Sequence, residues 1–171
     1  MIRCDKYYKY PGNIRLNEYL LKNHSYTVPG KRSGSPQGIT ITAIPVYLYE
    51  KGKTDKDLTV KHIENIGDGL IPHYYISISS TWQVLDNSDC WQEADGSTND
   101  KTLCIAITIS DGLVPPMYNL TPMQHAAMLT AYLLKKYRLT VDNVTAKDCP
   151  MFFTARWSDF MTKIKGQLRR L

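Results

Sequence analysis

The sequence predicts a single α/β domain with a mixed central β-sheet flanked by helices. Segments rich in β-branched residues alternate along the chain with segments whose apolar residues recur every three or four positions, as on one face of a helix. The chain has 171 residues, 43% of them hydrophobic and 22% charged, which suits one globular domain with its own core.

We divide the chain into an N-terminal segment, residues 1–30, and a main domain, residues 31–171. The segment opens with the aromatic and basic stretch CDKYYKYPGNIR and continues into a predicted short helix from Ile14 to Lys22. We expect it to pack on the main domain. Its tyrosines suit either a strap on the surface or an arm that contacts a partner.

The main domain begins with a turn, 31–38, after which predicted strands and helices follow each other. The strands are 39–48, 72–79, 81–85 and 103–109, the helices are 54–66, 121–137 and 155–168, and an acidic loop spans 86–101. Pro45 marks the end of the first strand, or a bulge in it. The continuous apolar run at 103–109 predicts a central strand. Thr121, followed by Pro122 and Gln124, matches the start of a capped helix.

Charge is unevenly distributed along the chain, although the formal total is only +5. Residues 1–64 carry 11 basic and 6 acidic side chains, residues 65–132 carry 1 and 7, and residues 133–171 carry 9 and 3. Nucleic-acid binders usually present one continuous basic face, and an acidic middle interrupts it here. The pattern therefore favours a protein partner. A nucleic acid stays the lesser alternative, because folding can still bring the two basic ends together.

The sequence also bears on location. No apolar run approaches the roughly 20 residues of a membrane span, and the N-terminus lacks a secretory pattern, so we expect a cytoplasmic protein.

The four cysteines of the chain include no closely spaced pair of the kind that holds structural zinc, and we expect them to be reduced. We expect Cys104, inside the apolar run at 103–109, to be an inert core thiol.

The order of these elements resembles that of the zinc-dependent N-acetylmuramoyl-L-alanine amidases of the phage lysozyme and peptidoglycan-recognition fold. Four pieces over residues 30–170 carry the resemblance: the strand ITIT, the run HYYIS, the segment CWQEADGSTNDKTLCIAI, and AKDCP with the helical RWSDFMTKI after it. The resemblance implies a zinc ion that polarises the scissile amide and activates water.

Most residues that the resemblance implies for that chemistry are replaced in this chain. The family's first metal histidine falls on Thr42, the histidine of the tryptophan loop on Gln92, and the strand glutamate on Ala106. The stretch LTVDNVTA contains no second metal histidine, so only Cys149 and Lys147 remain. One thiolate cannot hold a catalytic zinc, and we expect a pseudoenzyme without a metal cofactor.

Two enzymatic alternatives stay open at this point. A relocated zinc site would draw on His62, His73 and Cys149, although His62 is expected to face solvent and His73 to pack beside its strand. His24 and His125 are expected to be solvated. A nucleophilic Cys149 with a histidine partner is the other alternative.

The binding candidates are Trp91 in the acidic loop, with His73 and Tyr74 on the neighbouring strand. Either Trp91 presents its ring to a sugar or peptide, or it anchors a solvated loop. The expected function is that of a phage-encoded binding protein whose partner is a host or defence protein, such as a CRISPR effector, or a virion component. The alternative is a peptidoglycan-binding protein, or a zinc-dependent amidase with a rearranged site.

Overall fold

The structure is a computed structural model that describes residues 6–10, 14–24, 26–45, 55–64, 69–77, 80–109, 120–149 and 154–171. Its strands are β1 (Lys6–Tyr10), β2 (Ile14–Glu18), β3 (Gly38–Pro45), β4 (Tyr74–Ile76), β5 (Thr81–Gln83), β6 (Trp91–Gln92), β7 (Thr98–Asn99), β8 (Thr102–Ile109) and β9 (Val144–Ala146). Its helices are α1 (Asp55–Glu64), α2 (Leu120–Tyr137) and α3 (Trp157–Leu168), with 3-10 turns at Leu21–His24 and Val141–Asn143.

Seven of these strands form one mixed sheet in the order β1-β2-β5-β4-β8-β3-β9. The strands β4, β8, β3 and β9 run parallel to one another, whereas β1 pairs antiparallel with β2 and β5 antiparallel with β4. The apolar run at 103–109 forms most of β8, which has neighbours on both sides and is buried on both faces, as its composition predicts. The predicted α/β class and mixed sheet are confirmed.

Helices cover both faces of the sheet. Helices α2 and α3 pack on one face, where Phe160 and Ile164 of α3 meet the alanines Ala126 and Ala127 of α2 and the isoleucines of the sheet. The small alanine side chains let α2 lie close to the strands. On the other face, Val60 and Ile63 of α1 pack with Trp82 and Trp91 in a second core. Within the described ranges no helix has both the length and the apolarity for crossing a bilayer.

Three local predictions need correction. Residues Ile14–Glu18 form strand β2 rather than a helix, because they pair with β1 on one side and with β5 on the other. The acidic loop contains a hairpin of β6 and β7. Helix α2 begins at Leu120, so Thr121 lies in its first turn and not before it.

Candidate functional site

Parallel strands bring several of the predicted positions together at one edge of the sheet. Thr42 of β3 pairs with Ala106 of β8, which in turn pairs with Tyr75 of β4, so the three residues form one row across the sheet. Past the end of β9, the Lys147 N–H donates to the Ile41 carbonyl at 2.9 Å, and Cys149 Sγ lies 3.5 Å from the same oxygen. We call Thr42, Ala106, Lys147 and Cys149, with Glu93 described next, the carboxyl-end site.

An ion pair spans this site. Glu93, which directly follows β6, accepts a hydrogen bond from the Lys147 ammonium through Oε2 and another from Asn99 Nδ2 through Oε1, at 3.2 Å. Its bond with Lys147 lowers the pKa of Glu93, and the same bond raises the pKa of Lys147. Both groups therefore stay charged near neutral pH, and the pair joins the β6–β7 hairpin to the end of β9.

The carboxyl-end site contains a thiol that is held protonated. Cys149 is half-buried, and this burial raises its pKa to about 11, although the backbones of Lys147 and Ala43 partly oppose the shift. The neighbouring Cys104 in β8 is fully buried, and burial raises its pKa as well. A nucleophilic cysteine attacks as a thiolate, so these raised pKa values disfavour a nucleophilic role for either residue.

This protonation state predicts slow alkylation of Cys149. At about pH 8, a thiol with a pKa near 11 is ionised roughly 100-fold less than a free cysteine. We expect iodoacetamide to label Cys149 about 100-fold more slowly than a cysteine in an unstructured peptide, as measured by mass spectrometry of the digested protein. Labelling of Cys149 at the rate of the peptide cysteine would contradict its buried environment and support a nucleophilic role for it.

The three predicted binding residues all lie in the interior. Trp91, His73 and Tyr74 are at most 1% exposed. Trp91 donates from Nε1 to Thr102 Oγ1 at 3.2 Å, and Tyr74 donates its hydroxyl to Asn87 Oδ1 at 2.6 Å. In this conformation none of them offers a surface to a ligand, so Trp91 acts as the anchor of its loop.

His73 has both ring nitrogens engaged. Nδ1 accepts from the Cys104 N–H at 3.1 Å, and Nε2 lies 3.0 Å from the Asp89 carbonyl, to which it can only donate. Complete burial lowers the pKa of His73 to about 3, so the ring is neutral. A metal would have to displace one of these bonds, and therefore His73 is not placed as a ligand.

The remaining candidates do not converge on this site. Gln92 directs its amide to the Gly69 carbonyl at 2.8 Å, which fastens the loop before β4. His24 stacks on Tyr19 with the ring centroids 3.9 Å apart, and His125 is half-buried on α2 rather than solvated. The side chain of His62 lies outside the described residues.

Sequence reasoning missed two residues that shape this region. Glu93 was passed over in favour of its neighbour Gln92. Arg32 was treated as part of a turn, yet its guanidinium donates to the carbonyls of three residues of the acidic segment, Asn87, Asp89 and Asp100, and to that of Thr102 in β8. The only available signal was an arginine in a Gly- and Ser-rich stretch of a chain that also contains a strongly acidic segment.

The residues present do not fit the zinc centre that the resemblance implies. At the carboxyl-end site the donors are the Thr42 hydroxyl, the single thiol of Cys149 and a Glu93 carboxylate already bound to Lys147. Catalytic zinc usually takes three protein ligands from histidine, cysteinate and carboxylate. Over the ranges that the structure covers, no three such side chains converge in a group that would hold a metal.

Solved structures with the same architecture include endolysins and N-acetylmuramoyl-L-alanine amidases. The mutant endolysin from Bacillus subtilis has a TM-score of 0.68 and 17% identity, covering 88% of this chain and 99% of its own. The catalytic domain of XlyA has a TM-score of 0.66 and 18% identity, covering 87% of this chain and 98% of its own.

The Staphylococcus aureus hydrolase AmiA, solved in complex with its ligand, has a TM-score of 0.64 and 13% identity, covering 90% of this chain and 82% of its own. No protein-family model and no curated protein matches the sequence. The LysC structure from Clostridium intestinale, with a TM-score of 0.55, is an N-acetylmuramoyl-L-alanine amidase by name. This chain therefore has the N-acetylmuramoyl-L-alanine amidase fold.

Proposed function

We propose that this chain is a non-hydrolytic, phage-encoded protein on the amidase fold, and that it acts by binding a protein partner. The observation that carries the proposal is the chemistry of the carboxyl-end site. Where the amidase resemblance requires metal ligands and a proton acceptor, the chain has a hydroxyl at Thr42 and a methyl at Ala106, and Cys149 is the one remaining ligand of that set.

The Glu93–Lys147 pair does not replace the missing groups. An efficient general acid or base has a pKa near the working pH. The mutual hydrogen bond moves the pKa of Glu93 down and that of Lys147 up, away from neutrality in both cases. The pair supports a structural role, in which it holds the β6–β7 hairpin against the end of β9.

That hairpin is the surface we assign to the protein partner. Its tip, residues 94–98, is exposed along its whole length. Asp95 Oδ1 accepts from the Ser97 N–H at 2.9 Å and from the Ser97 hydroxyl at 2.6 Å, so the turn is ordered before any partner arrives. A pre-ordered loop loses less conformational entropy on binding. We propose a host or defence protein, such as a CRISPR effector, or a virion component as the partner, with steric occlusion as the mechanism.

The first test is hydrolysis. We expect the purified protein to release no muropeptides from cell walls, with or without added zinc, and Cys149→Ser to behave like the wild type. Muropeptide release would be followed by chromatography beside an active amidase. Zinc-dependent release that Cys149→Ser abolishes would contradict the proposal and support the enzymatic alternative.

The second test concerns the partner. Asp95→Asn removes the exposed charge but keeps an acceptor for the turn, and Asp142→Asn removes an exposed charge from the 141–143 turn as the matched control. We expect a protein captured by the wild type from host lysate to be recovered several-fold less with Asp95→Asn and equally with Asp142→Asn. Equal recovery with both variants would exclude the hairpin as the contact.

Muropeptide binding is the second candidate, and the fold of AmiA, solved with its ligand, favours it. Co-sedimentation with purified cell wall separates the two candidates. Retention on the wall without any hydrolysis would support a peptidoglycan-binding protein over a protein inhibitor.

A further inference from the structure

The fold separates the charges that the sequence interleaves. Residues 120–138 and 154–171, which contain α2 and α3, carry eight Lys or Arg and one acidic residue, Asp159. These helices pack on one face of the sheet, whereas Trp91 of the acidic segment 86–101 packs in the core on the opposite face. The acidic segment touches the end of α2, where Asn87 donates to the Tyr137 hydroxyl at 3.0 Å. Its ion-paired carboxylates, however, pair with Lys22, Lys31 and Lys147 and not with cations of α2 or α3, which weakens the argument that the sequence offered against a nucleic acid.

A groove runs between the two helices on the basic side. It has a volume of about 240 Å³ and is lined by Gln124 and Ala127 of α2 and by Lys163, Gly166, Gln167 and Arg170 at the end of α3. Lys163, Gln167 and Arg170 are spaced four and three residues apart, so they form one stripe along the helix. Gly166 lacks a side chain between them, and a Cβ built there meets no atom within 4 Å. The groove thus combines two cations and two amides around an open floor.

The cations around this groove are available. Lys163, Lys165, Arg169 and Arg170 are exposed, and none of them forms an ion pair with a described residue. Asp159, the acidic residue of the two helices, lies 4.0 Å from Arg156.

Two other kinds of anionic partner, an acidic protein and a lipid surface, require exposed apolar side chains on the binding face. The core of a protein interface is usually apolar and aromatic, and a membrane-surface helix inserts apolar side chains. Of the described residues, Tyr26 is the exposed large hydrophobic one, and it lies outside α2 and α3. On α2 and α3 the described large apolar side chains are buried or half-buried, and the fully exposed charged side chains are mainly cations. Such a face matches a nucleic acid, whose affinity comes from phosphate contacts and counterion release.

We propose that the α2–α3 face binds the phosphodiester backbone of a nucleic acid without reading its sequence. Lys163 and Arg170 contact phosphates in the groove, Gln124 and Gln167 donate to phosphate oxygens, and Lys165 and Arg169 extend the contact along the backbone. This binding does not depend on the proposed function, because it uses the face of the sheet opposite the acidic hairpin segment.

The test measures binding of the purified full chain to a fluorescent DNA duplex of about 30 base pairs of random sequence, at salt concentrations from about 50 to 200 mM. The double variant Lys163→Gln, Arg170→Gln is expected to lower the affinity by about 10-fold or more at low salt, and to reduce the slope of log K against log salt by about 2. Gly166→Glu, which places a carboxylate in the open groove, is expected to weaken binding similarly.

The matched control is the double variant Arg15→Gln, Lys101→Gln. It changes the net charge equally at two exposed positions, one on β2 and one just before β8, and is expected to keep the affinity within about two-fold. Circular dichroism confirms that each variant is folded. The proposal is overturned if the duplex does not bind at low salt, or if the control loses as much affinity as the groove variants. Tighter binding to poly-glutamate or to anionic phosphatidylglycerol vesicles than to DNA overturns it as well.

Discussion

Replacing Arg32 by alanine is expected to lower the free energy of unfolding by about 3–5 kcal/mol, the largest effect that we predict for any single side chain here. The guanidinium donates at 3.2 Å from Nε to the Asn87 carbonyl and at 2.9 Å from Nη2 to the Thr102 carbonyl, and it also reaches the Asp89 and Asp100 carbonyls. This arginine is half-buried, so its loss leaves carbonyls without donors in a place where water enters poorly.

Urea unfolding followed by circular dichroism measures this loss, and the melting temperature should fall by about 10 °C for a chain of this length. Arg32→Lys is the informative companion, because a lysine keeps the charge but cannot donate to four carbonyls at once. The free energy of unfolding of Arg32→Lys should lie between those of the wild type and Arg32→Ala. Arg15→Gln, at an exposed strand position, should change stability by less than about 0.5 kcal/mol. A loss below about 1 kcal/mol for Arg32→Ala would show that the acidic segment keeps its conformation without this arginine.

Stability is also expected to fall steeply with acid because of His73. Burial, together with the nearby Arg32 charge, lowers the pKa of His73 to about 3, whereas the unfolded chain has an ordinary histidine with a pKa near 6.5. Below about pH 6.5 the unfolded state therefore binds a proton on this histidine, whereas the folded state does not. The contribution of neutral His73 to the free energy of unfolding is fully present above about pH 6.5. It is lost as the pH falls from there towards 3, with a slope of about 1.4 kcal/mol per pH unit.

The window from about pH 6.5 to pH 5 isolates this effect, because carboxylates titrate mainly below it, and the expected loss there is about 2 kcal/mol. His73→Gln should be less stable than the wild type at neutral pH, but its free energy of unfolding should change much less between pH 6.5 and pH 5. His125→Gln is the control: burial also lowers the pKa of His125, but this side chain is only half-buried, so the variant should keep most of the wild type's pH dependence. A wild type with constant stability between pH 7 and pH 5 would contradict the buried, neutral His73.

Most of the framework could be predicted from the sequence because it depends on local pattern. The runs that form β3 and β8, the helices α1, α2 and α3, and the resemblance to the amidase fold all follow from periodicity, composition and order along the chain. The prediction failed at Ile14–Glu18, where apolar spacing suited a helix but neighbouring strands β1 and β5 supplied backbone partners on both sides. Strand pairing is a long-range property, and it overrides a weak local preference.

The candidate site shows the same division at the level of single residues. The substitutions at Thr42 and Ala106 could be placed by matching strands, and the structure puts these residues side by side. The carboxylate that pairs with Lys147 belongs to Glu93. Adjacent residues of an extended chain point to opposite sides, so the path of the β6–β7 hairpin decides whether Gln92 or Glu93 faces Lys147.

By itself, the sequence determined the α/β class and the central strand, since each depends on which residue types follow one another. Only the tertiary structure decided that His73, Tyr74 and Trp91 are interior, that Glu93 faces Lys147, and that Trp91 packs on the face of the sheet opposite the basic helices. Burial, ion pairing and surface charge arise between residues that are distant in the chain, and the crossover connections of the sheet set which of them meet.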